Sequence, residues 1–259
     1  MEPATQTRVM PCCDHPLRRQ RMQMLSLLCS AWVSGCASRQ VTGPLVPLLL
    51  PSPKPPILWL EPFDELNPSQ WHNVEVRGHT EYHVVELDGR RCLKAYSRAG
   101  ASMLLKTVRF NPDTYEWLSW RWRVDQLVQG EDLTRKEGSD AAARVYVYFD
   151  TKGLPWQKRS LDYVWSASLP VGTILESAYS HSSKMIVVES GASQLRQWRT
   201  VERNIEDDYK RCFGESPPDV IAIGVMNDTD NTGHEALAYF DDVRVSLSIP
   251  RTDSQQAAR

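Results

Sequence analysis

Cysteine is scarce in this chain of 259 residues, and the scarcity excludes several kinds of site. Three of the six cysteines lie within the first 29 residues, and beyond Cys36 only Cys92 and Cys212 remain. The chain has no CxxC motif and no cysteine and histidine spacing of the kind that holds zinc. Spacing alone leaves open whether Cys92 and Cys212 form a disulfide in an oxidising compartment.

Motifs for catalysis and for nucleic-acid binding are also missing. The sequence contains no GxSxG elbow, no HExxH, no phosphate-binding loop and no Rossmann glycine pattern. The net charge is −2 and no basic stripe occurs, so nucleic acid is not an expected partner. No motif therefore assigns a reaction to this protein.

The first 35 residues have the layout of a secretory signal. Three arginines between residues 18 and 21 precede an apolar run that ends in small residues and is too short to span a membrane. The four residues ending at Cys36, VSGC, resemble a bacterial lipobox, whose cysteine is lipidated. The resemblance implies an outer-membrane lipoprotein of the bacterial cell envelope that faces the periplasm or the surface, because Ala37 follows the anchor.

Proline dominates the segment that follows the lipobox. Residues 36–56 contain six prolines and predict an extended, semi-rigid linker between the lipid and the folded domain. Without residues 1–35 the chain carries 30 acidic and 26 basic residues, a net charge of −4. Residues 251–259 are predicted to be a disordered tail.

Alternation of apolar and polar residues marks the region 57–250 as a β domain. Residues 80–97 predict a hairpin with Asp88 and Gly89 in a type I′ turn. The period of two puts Leu118, Trp120, Trp122 and Val124 on one core face, and Val145, Val147 and Phe149 on another. About a dozen such runs without a βαβ rhythm predict an all-β fold, a two-sheet antiparallel jelly-roll-like β-sandwich.

One short helix interrupts the strands. Asn204 is a favourable N-cap and Gly214 suits the C′ position. Acidic residues at 206–208 lie in the first turn and basic residues at 210 and 211 lie in the last turn, as the helix dipole favours. Residues 125–141 are polar and long for a plain connection, which favours a functional or mobile loop.

Two apolar runs between residues 219 and 247 flank an acidic loop, NDTDNTGHE, and predict a hairpin. In the second run the period of two puts Asp241 on the face of Tyr239, Val243 and Val245. A carboxylate among apolar neighbours needs a cation or several donors.

The loop itself resembles the opening of an EF-hand through Asp228, Asp230 and Thr232. It lacks the acidic twelfth ligand, since Tyr239 stands there, so the alternatives are a looser calcium site and a turn in which Asx side chains bond to their own backbone.

A candidate ligand-binding surface comes from two strands that carry basic and aromatic residues in their outward phase. Its members are Arg121, Arg123, Arg144, Tyr146 and Tyr148. If the strands are neighbours, this face could stack on sugars or grip anionic groups. The alternative is a solvent-facing sheet with ordinary cross-strand pairs.

Several segments resemble the bacterial domain-of-unknown-function family 3047. The resemblance rests on SDAAARVYVYFD, LDYVWSASLPVGT, IVVESG, the block from Trp198 through ERNIEDDYKRCFG, NDTDNTG and AYFDDVRV. It covers nearly the whole mature domain and implies fold and location rather than an activity. An acidic pair expected before AARVYV is here Ser139 and Asp140.

A looser likeness is to jelly-roll carbohydrate-binding modules, through the opening FDE, the strand after a DG turn and the closing DDV strand. In such modules a structural calcium joins the first and last strands. The likeness implies a calcium site formed by Glu61 or Asp64 with Asp241.

These features favour a lipid-anchored β-sandwich that binds a glycan or another envelope component without turnover. An alternative is a hydrolase of an envelope polysaccharide with acidic residues such as Asp140, Glu189, Asp228 or Asp230 as acid and base. A third is a structural partner of another envelope protein.

Overall fold

Thirteen strands and one helix make up the part of the chain that the computed structural model describes, residues 55–154 and 157–247. The predicted signal peptide, the linker up to residue 54 and the tail 251–259 lie outside the described residues. The elements are β1 (Ile57–Glu61), β2 (Trp71–Arg77), β3 (Thr80–Leu87), β4 (Arg90–Arg98), β5 (Ala101–Phe110), β6 (Trp117–Gln126), β7 (Ala141–Phe149), β8 (Ser160–Ser166), β9 (Ile174–Ser177), β10 (Ser180–Ser190), β11 (Arg199–Asn204), α1 (Ile205–Phe213), β12 (Val220–Asp228) and β13 (Glu235–Ser246).

The strands form two sheets, which confirms the predicted all-β sandwich with one short helix. Sheet A has the order β11-β6-β13-β4-β3, and β1 pairs with the end of β13. Sheet B has the order β2-β5-β12-β7-β8-β10-β9. One pair in sheet B, β8 with β10, is parallel. After β8 the chain forms the edge strand β9, and β10 then runs antiparallel to β9 in the position between β9 and β8.

Large aromatic side chains from both sheets fill the space between them. Trp120 and Trp122 of β6 are fully buried, as the alternation predicts. Their ring centroids lie 5.2 Å from Tyr163 and 5.9 Å from Trp165, both on β8. Each buried side chain of this size stabilises the fold by roughly 1.5–3 kcal/mol.

The predicted hairpin tip and helix caps are confirmed. Asp88 and Gly89 both have positive φ, 54° and 75°, as a type I′ turn requires. The Oδ1 atom of Asn204 accepts a hydrogen bond from the backbone N of Asp207 at 2.9 Å. Gly214 ends the helix in the left-handed conformation with φ 76°.

The stretch 219–247 does not form the predicted hairpin, because its two strands belong to different sheets. β12 lies in the middle of sheet B and β13 in the middle of sheet A. Their connection crosses from one sheet to the other and is held at Gly100, whose carbonyl accepts from the backbone N of Thr229 at 3.0 Å. Turn-rich composition predicts a change of direction but not whether the next strand pairs with the previous one.

A β-bulge in β13 makes the predicted face of Asp241 wrong. The pairing with β6 shifts between Asp241 and Arg244, and Asp242 has a positive φ of 49°. An extra residue in a strand reverses the phase beyond it. Phe240 and Val243 therefore both reach the core, whereas Asp241 lies on the outer face of sheet A.

Both remaining cysteines, Cys92 and Cys212, are free thiols. None of the helices in the described ranges is long and apolar enough to cross a membrane.

Candidate functional site

Two tyrosines stand side by side on the outer face of sheet B. Tyr146 and Tyr148 have ring centroids 5.8 Å apart and ring planes only 10° from parallel. Met226 and Met103, which are cross-strand partners on β12 and β5, place their sulfur atoms 3.6 Å from the Tyr146 hydroxyl and 3.7 Å from the Tyr148 hydroxyl. We call this surface, with Leu105 beside it, the tyrosine face.

Gly224 lies at the centre of the tyrosine face, directly between Tyr146 and Leu105 in the strand register. A Cβ atom at this position would come within 2.9 Å of the Met103 sulfur and 3.1 Å of a Leu105 methyl group. A glycine inside a strand commonly marks a close approach. Here it lets the neighbouring side chains lie flat across the sheet.

A buried carboxylate, Asp162, continues this face on β8 opposite Tyr146. The hydroxyl of Ser160 donates to its Oδ1 at 2.7 Å, and the hydroxyl of Ser183 donates to its Oδ2 at 2.6 Å. Burial raises the pKa of Asp162 to about 6. The sequence analysis missed this group, although Ser160 and Asp162 interrupt an otherwise apolar strand in its outward phase.

Arg144 lies one step further along β7 and is almost fully buried. Its Nε and Nη2 atoms donate to Asp228 at 2.9 and 3.2 Å, and Nη2 also donates to the carbonyl of Ser139 at 2.8 Å. The backbone N of Ala141 completes the shell of Asp228 at 3.2 Å. The remaining Nη1 atom lies 3.3 Å from the sulfur of Met185, so every nitrogen of the guanidinium has a partner, and the ion pair holds the end of β12 against β7.

Three carboxylates meet at the same end of the face. One oxygen each from Asp140, Asp228 and Asp230 lies within 4.8 Å of the others. Asp140 accepts from the backbone N of Asn231 at 3.2 Å and from the backbone N of Thr232 at 2.7 Å. Thr232 thus contributes its backbone to this cluster, and Asp140 fixes the loop between β12 and β13.

Glu131 anchors the long loop between β6 and β7 beside this cluster. Its Oε1 atom accepts from the Ser166 hydroxyl at 2.6 Å and from the backbone N of Ala167 at 2.7 Å. Its Oε2 atom is buried without a hydrogen-bond partner. Burial raises the pKa of Glu131 to about 7. Leu133 of the same loop packs on Val164 and covers part of sheet B.

The five predicted ligand-binding residues do not share a face, because β6 and β7 belong to different sheets. Arg121 and Arg123 lie on the outer face of sheet A. Arg123 donates to both oxygens of Asp125 at 2.6 and 3.1 Å and to Asp88 at 2.9 Å. The two arginines of sheet A therefore form ordinary ion pairs with neighbouring aspartates. Of the five predicted residues, only Arg144, Tyr146 and Tyr148 share a face.

The residues of the predicted first calcium site are engaged by cations and donors of the protein itself. Arg90 and Arg121 each approach Asp241 to 3.4 Å. Glu61 accepts from the Trp71 indole at 2.9 Å and from Lys106 at 3.3 Å, and Asp64 is exposed to solvent. Two guanidinium groups against one carboxylate do not fit a calcium ion, so this arrangement does not match the implied site.

The two weaker catalytic candidates have separate surroundings. Asp140 belongs to the acidic loop cluster, whereas Glu189 accepts from the Nε atom of Arg199 at 3.0 Å. Glu189 does not belong to that cluster, which is the one group of three potential metal-ligating side chains that the described residues form.

One known protein family matches most of this chain. A family model described as a protein of unknown function, DUF3047, matches residues 69–244. The chain belongs to the DUF3047 family. The membership predicted from the sequence motifs is thereby confirmed. No curated protein gives a significant match to this DUF3047 chain.

Solved structures similar to the DUF3047 domain include proteins that bind or cleave polysaccharides. The family 30 carbohydrate-binding module of a cellulosomal cellulase of Clostridium thermocellum is 12% identical, with 69% of this chain and 92% of that chain covered and a TM-score of 0.40. The CBM22-1 xylan-binding domain of Paenibacillus barcinonensis Xyn10C is 11% identical, with coverage of 75% and 96% and a TM-score of 0.36. The xyloglucanase domain of NopAA from Sinorhizobium fredii is 8% identical, with coverage of 73% and 98% and a TM-score of 0.37. At these identities the similarity concerns the fold and not the ligand.

Proposed function

We propose that the DUF3047 domain is the glycan-binding part of a lipid-anchored envelope protein and that it binds its glycan on the tyrosine face without turnover. The observation that carries this proposal is the parallel pair of Tyr146 and Tyr148 on an outer sheet face. Aromatic rings offer flat apolar surface together with a polar hydroxyl. That combination suits a sugar ring, which has apolar C–H faces and a polar edge.

The polar groups beside the tyrosines support the same function. Ligand sites combine an aromatic floor with a few fixed polar groups that orient the ligand. Asp162 and its two serine hydroxyls are buried on the strand next to Tyr146 and make the ground beneath the tyrosines polar. The half-buried Asp230 at the end of the face is a polar group that a hydroxyl-rich ligand lying along β7 would reach.

The hydrolase alternative has less support from the side chains that the sequence suggested. Acid and base catalysis by paired carboxylates needs groups that are available to the substrate. Asp228 is paired with Arg144, Asp140 binds two backbone N–H groups, and Glu189 is paired with Arg199. Asp230 is half-buried without an ion pair in the described part of the chain, but the mechanism needs two available carboxylates. No contact of the described residues specifically favours a purely structural role with another envelope protein.

Binding to a panel of glycans tests the proposal. The chain from Ser52 to Arg259, a compact unit that contains the whole core, is titrated with neutral, anionic and amino polysaccharides. Saturable binding is expected, and Tyr148→Ala should weaken it about tenfold or more. The matched control is Tyr96→Ala, which removes a half-buried tyrosine from the outer face of sheet A. No binding across the panel, with one envelope protein co-purifying instead, would support the structural alternative.

Anchoring at the membrane rests on the lipobox and is tested separately in the full chain. Expression with a labelled fatty acid should give a labelled protein in the outer-membrane fraction. Cys36→Ser should abolish labelling and release the protein from that fraction, because a lipid chain places a protein at a membrane without spanning it. Labelling that survives Cys36→Ser would contradict the anchor.

We infer that any calcium bound by the domain is held by Asp140, Asp228 and Asp230 rather than at Asp241. The first group brings three carboxylates together beside one guanidinium, whereas Asp241 faces two guanidinium groups. Calcium should then raise the melting temperature of the domain after chelator treatment, by mass action. Asp230→Asn should remove the rise, and Asp241→Asn should leave it in place.

A further inference from the structure

The tyrosine face and the acidic cluster beside it have an unbalanced charge. Five carboxylates lie along this side of sheet B, namely Glu131, Asp140, Asp162, Asp228 and Asp230. Arg144 is the one buried cation among the described residues. Its guanidinium already donates to both oxygens of Asp228.

The remaining carboxylates have hydrogen-bond donors but no cationic partners. Within the described ranges no lysine or arginine forms an ion pair with Asp140, Asp162 or Asp230. Asp162 is offset by two serine hydroxyls, and Asp140 is offset by the loop backbone. Lys136 lies over the Tyr179 ring and Lys184 pairs with Glu176, while Arg77 acts on Asp230 through its charge without forming an ion pair.

These groups line one path along β7. Tyr148, Tyr146 and Arg144 follow one another in the outward phase, and Asp228 pairs with Ala141 at the end of the strand. Tyr148 at one end and Asp230 at the other are half-buried and reach solvent, whereas Tyr146, Arg144 and Asp228 between them are buried. A surface that carries one sign of charge concentrates ligands of the opposite sign. The faces of aromatic rings also attract cations.

We propose that the ligand of the tyrosine face is a glycan with free amino groups, such as one that contains deacetylated amino sugars. This inference rests on the proposed glycan binding and adds the chemical class. The sugar rings lie against Tyr148, the more accessible member of the pair, and an ammonium group reaches Asp230, while the buried Asp162 and Asp140 add negative charge beneath the surface. Polysaccharides rich in uronate or phosphate are disfavoured, because their anions would meet unpaired carboxylates in a partly desolvated site.

A series of three hexasaccharides that differ only at C2 tests the charge preference. Glucosamine, N-acetylglucosamine and glucose oligomers, all β-1,4-linked, carry an ammonium, an acetamide and a hydroxyl group at that position. The chain from Ser52 to Arg259 is titrated with each one in the presence of a chelator, so that calcium does not screen the carboxylates. The glucosamine oligomer should bind about tenfold or more tighter than the other two, and only its affinity should fall steeply with added salt.

Two variants separate the charge contribution from the aromatic one. Asp230 is half-buried and makes no ion pair with a described residue, so the fold should tolerate Asp230→Asn. This variant should reduce the preference for the glucosamine oligomer several-fold. Tyr148→Ala should weaken all three ligands. Asp64→Asn, an exposed carboxylate before β2, is the control and should change nothing.

The outcomes distinguish the inference from the function on which it rests. Equal or tighter binding of the acetylated or neutral oligomer, still dependent on Tyr148, would overturn the amino-glycan inference and leave glycan binding in place. A glucosamine preference that Asp230→Asn does not change would also overturn the amino-glycan inference and leave glycan binding in place. Absence of binding to all three, and to the wider panel, would overturn both.

Discussion

At the scale of single residues, the buried pair of Arg144 and Asp228 decides how the candidate site is held. The pair joins β7 to the end of β12 and fixes the carbonyl of Ser139. A buried ion pair adds little net stability over apolar residues of the same size, but loss of one partner leaves an uncompensated charge. The pair therefore works as a positional constraint whose removal is costly.

Arg144→Met should destabilise the domain by about 3–5 kcal/mol in urea denaturation, because Asp228 then stays buried without a partner. The double variant, Arg144→Met with Asp228→Leu, should recover much of the lost free energy of unfolding. The control is Arg98→Met, which removes an exposed pair with Glu235 and should not change the midpoint measurably. A single variant as stable as the wild type would contradict the assigned role of the pair.

Glu131 predicts how stability responds to pH. Its pKa is raised by burial from 4.5 to about 7, so between these values the folded state binds a proton that the unfolded chain has released. Stability should therefore fall as the pH rises toward 7, by at most about 1.4 kcal/mol per pH unit for this one group.

Asp162, Asp228 and Asp241, whose pKa values burial raises to about 6, contribute a fall of the same sign, so the comparison of the wild type with Glu131→Gln between pH 6 and 7 isolates Glu131. Melting temperatures followed by circular dichroism should fall across this window in the wild type. Glu131→Gln should flatten the curve, and Glu189→Gln, which alters an ion-paired carboxylate, should not. An unchanged slope in Glu131→Gln would show that another group titrates.

At the scale of elements, local rules predict the faces and ends of each strand better than they predict which strand it pairs with. The faces of β6 and β7, the turn at Asp88 and the caps of α1 follow from periodicity and backbone preferences of a few residues. Sheet membership depends on contacts between distant segments, which no local pattern encodes. This is why Arg121 and Tyr146 were expected on one face and lie on opposite sides of the sandwich.

The bulge at Asp242 shows the same limit within one strand. An unbroken period of two placed Asp241 among apolar residues, and one additional residue reverses that assignment. A bulge with positive φ can be suspected from an Asp pair in a strand, but the sequence does not say which residue is extra. Asp162 was missed for a different reason, since a single polar residue in an apolar run carries no motif.

Insertion of a residue after Asp242 should be far more damaging than its deletion. Without the extra residue the strand alternates regularly, so Val243 and Val245 keep their places in the core. An alanine inserted after Asp242 would turn both side chains to the outer face, and we expect loss of soluble, cooperatively folded protein. Asp242→Asn keeps the residue count, tolerates positive φ and should fold, with a modest fall in the melting temperature. A stable insertion variant would contradict the assigned phase.

At the scale of the whole molecule, the two outer sheet faces have different characters. On sheet A, arginines and aspartates pair across strands and leave few free donors. On sheet B, stacked tyrosines, methionine sulfur atoms and unpaired carboxylates remain beside one another. Sheet B is therefore the proposed binding side of the domain, and sheet A is a surface stabilised by its own charges.

Methyl NMR of the methionines reports whether the glycan binds on sheet B. The seven methionines of the sequence include only three after residue 52, Met103, Met185 and Met226, and all three lie on sheet B. Met103 and Met226 contact the hydroxyls of Tyr148 and Tyr146. Met185 lies opposite Asp162 on β10, with its sulfur 3.3 Å from Nη1 of Arg144, and packs under Leu133. Titration with a bound glycan should shift the methyl signals of Met103 and Met226 in a saturable way. Saturable binding with no shift at Met103 or Met226 would place the ligand elsewhere and contradict the account.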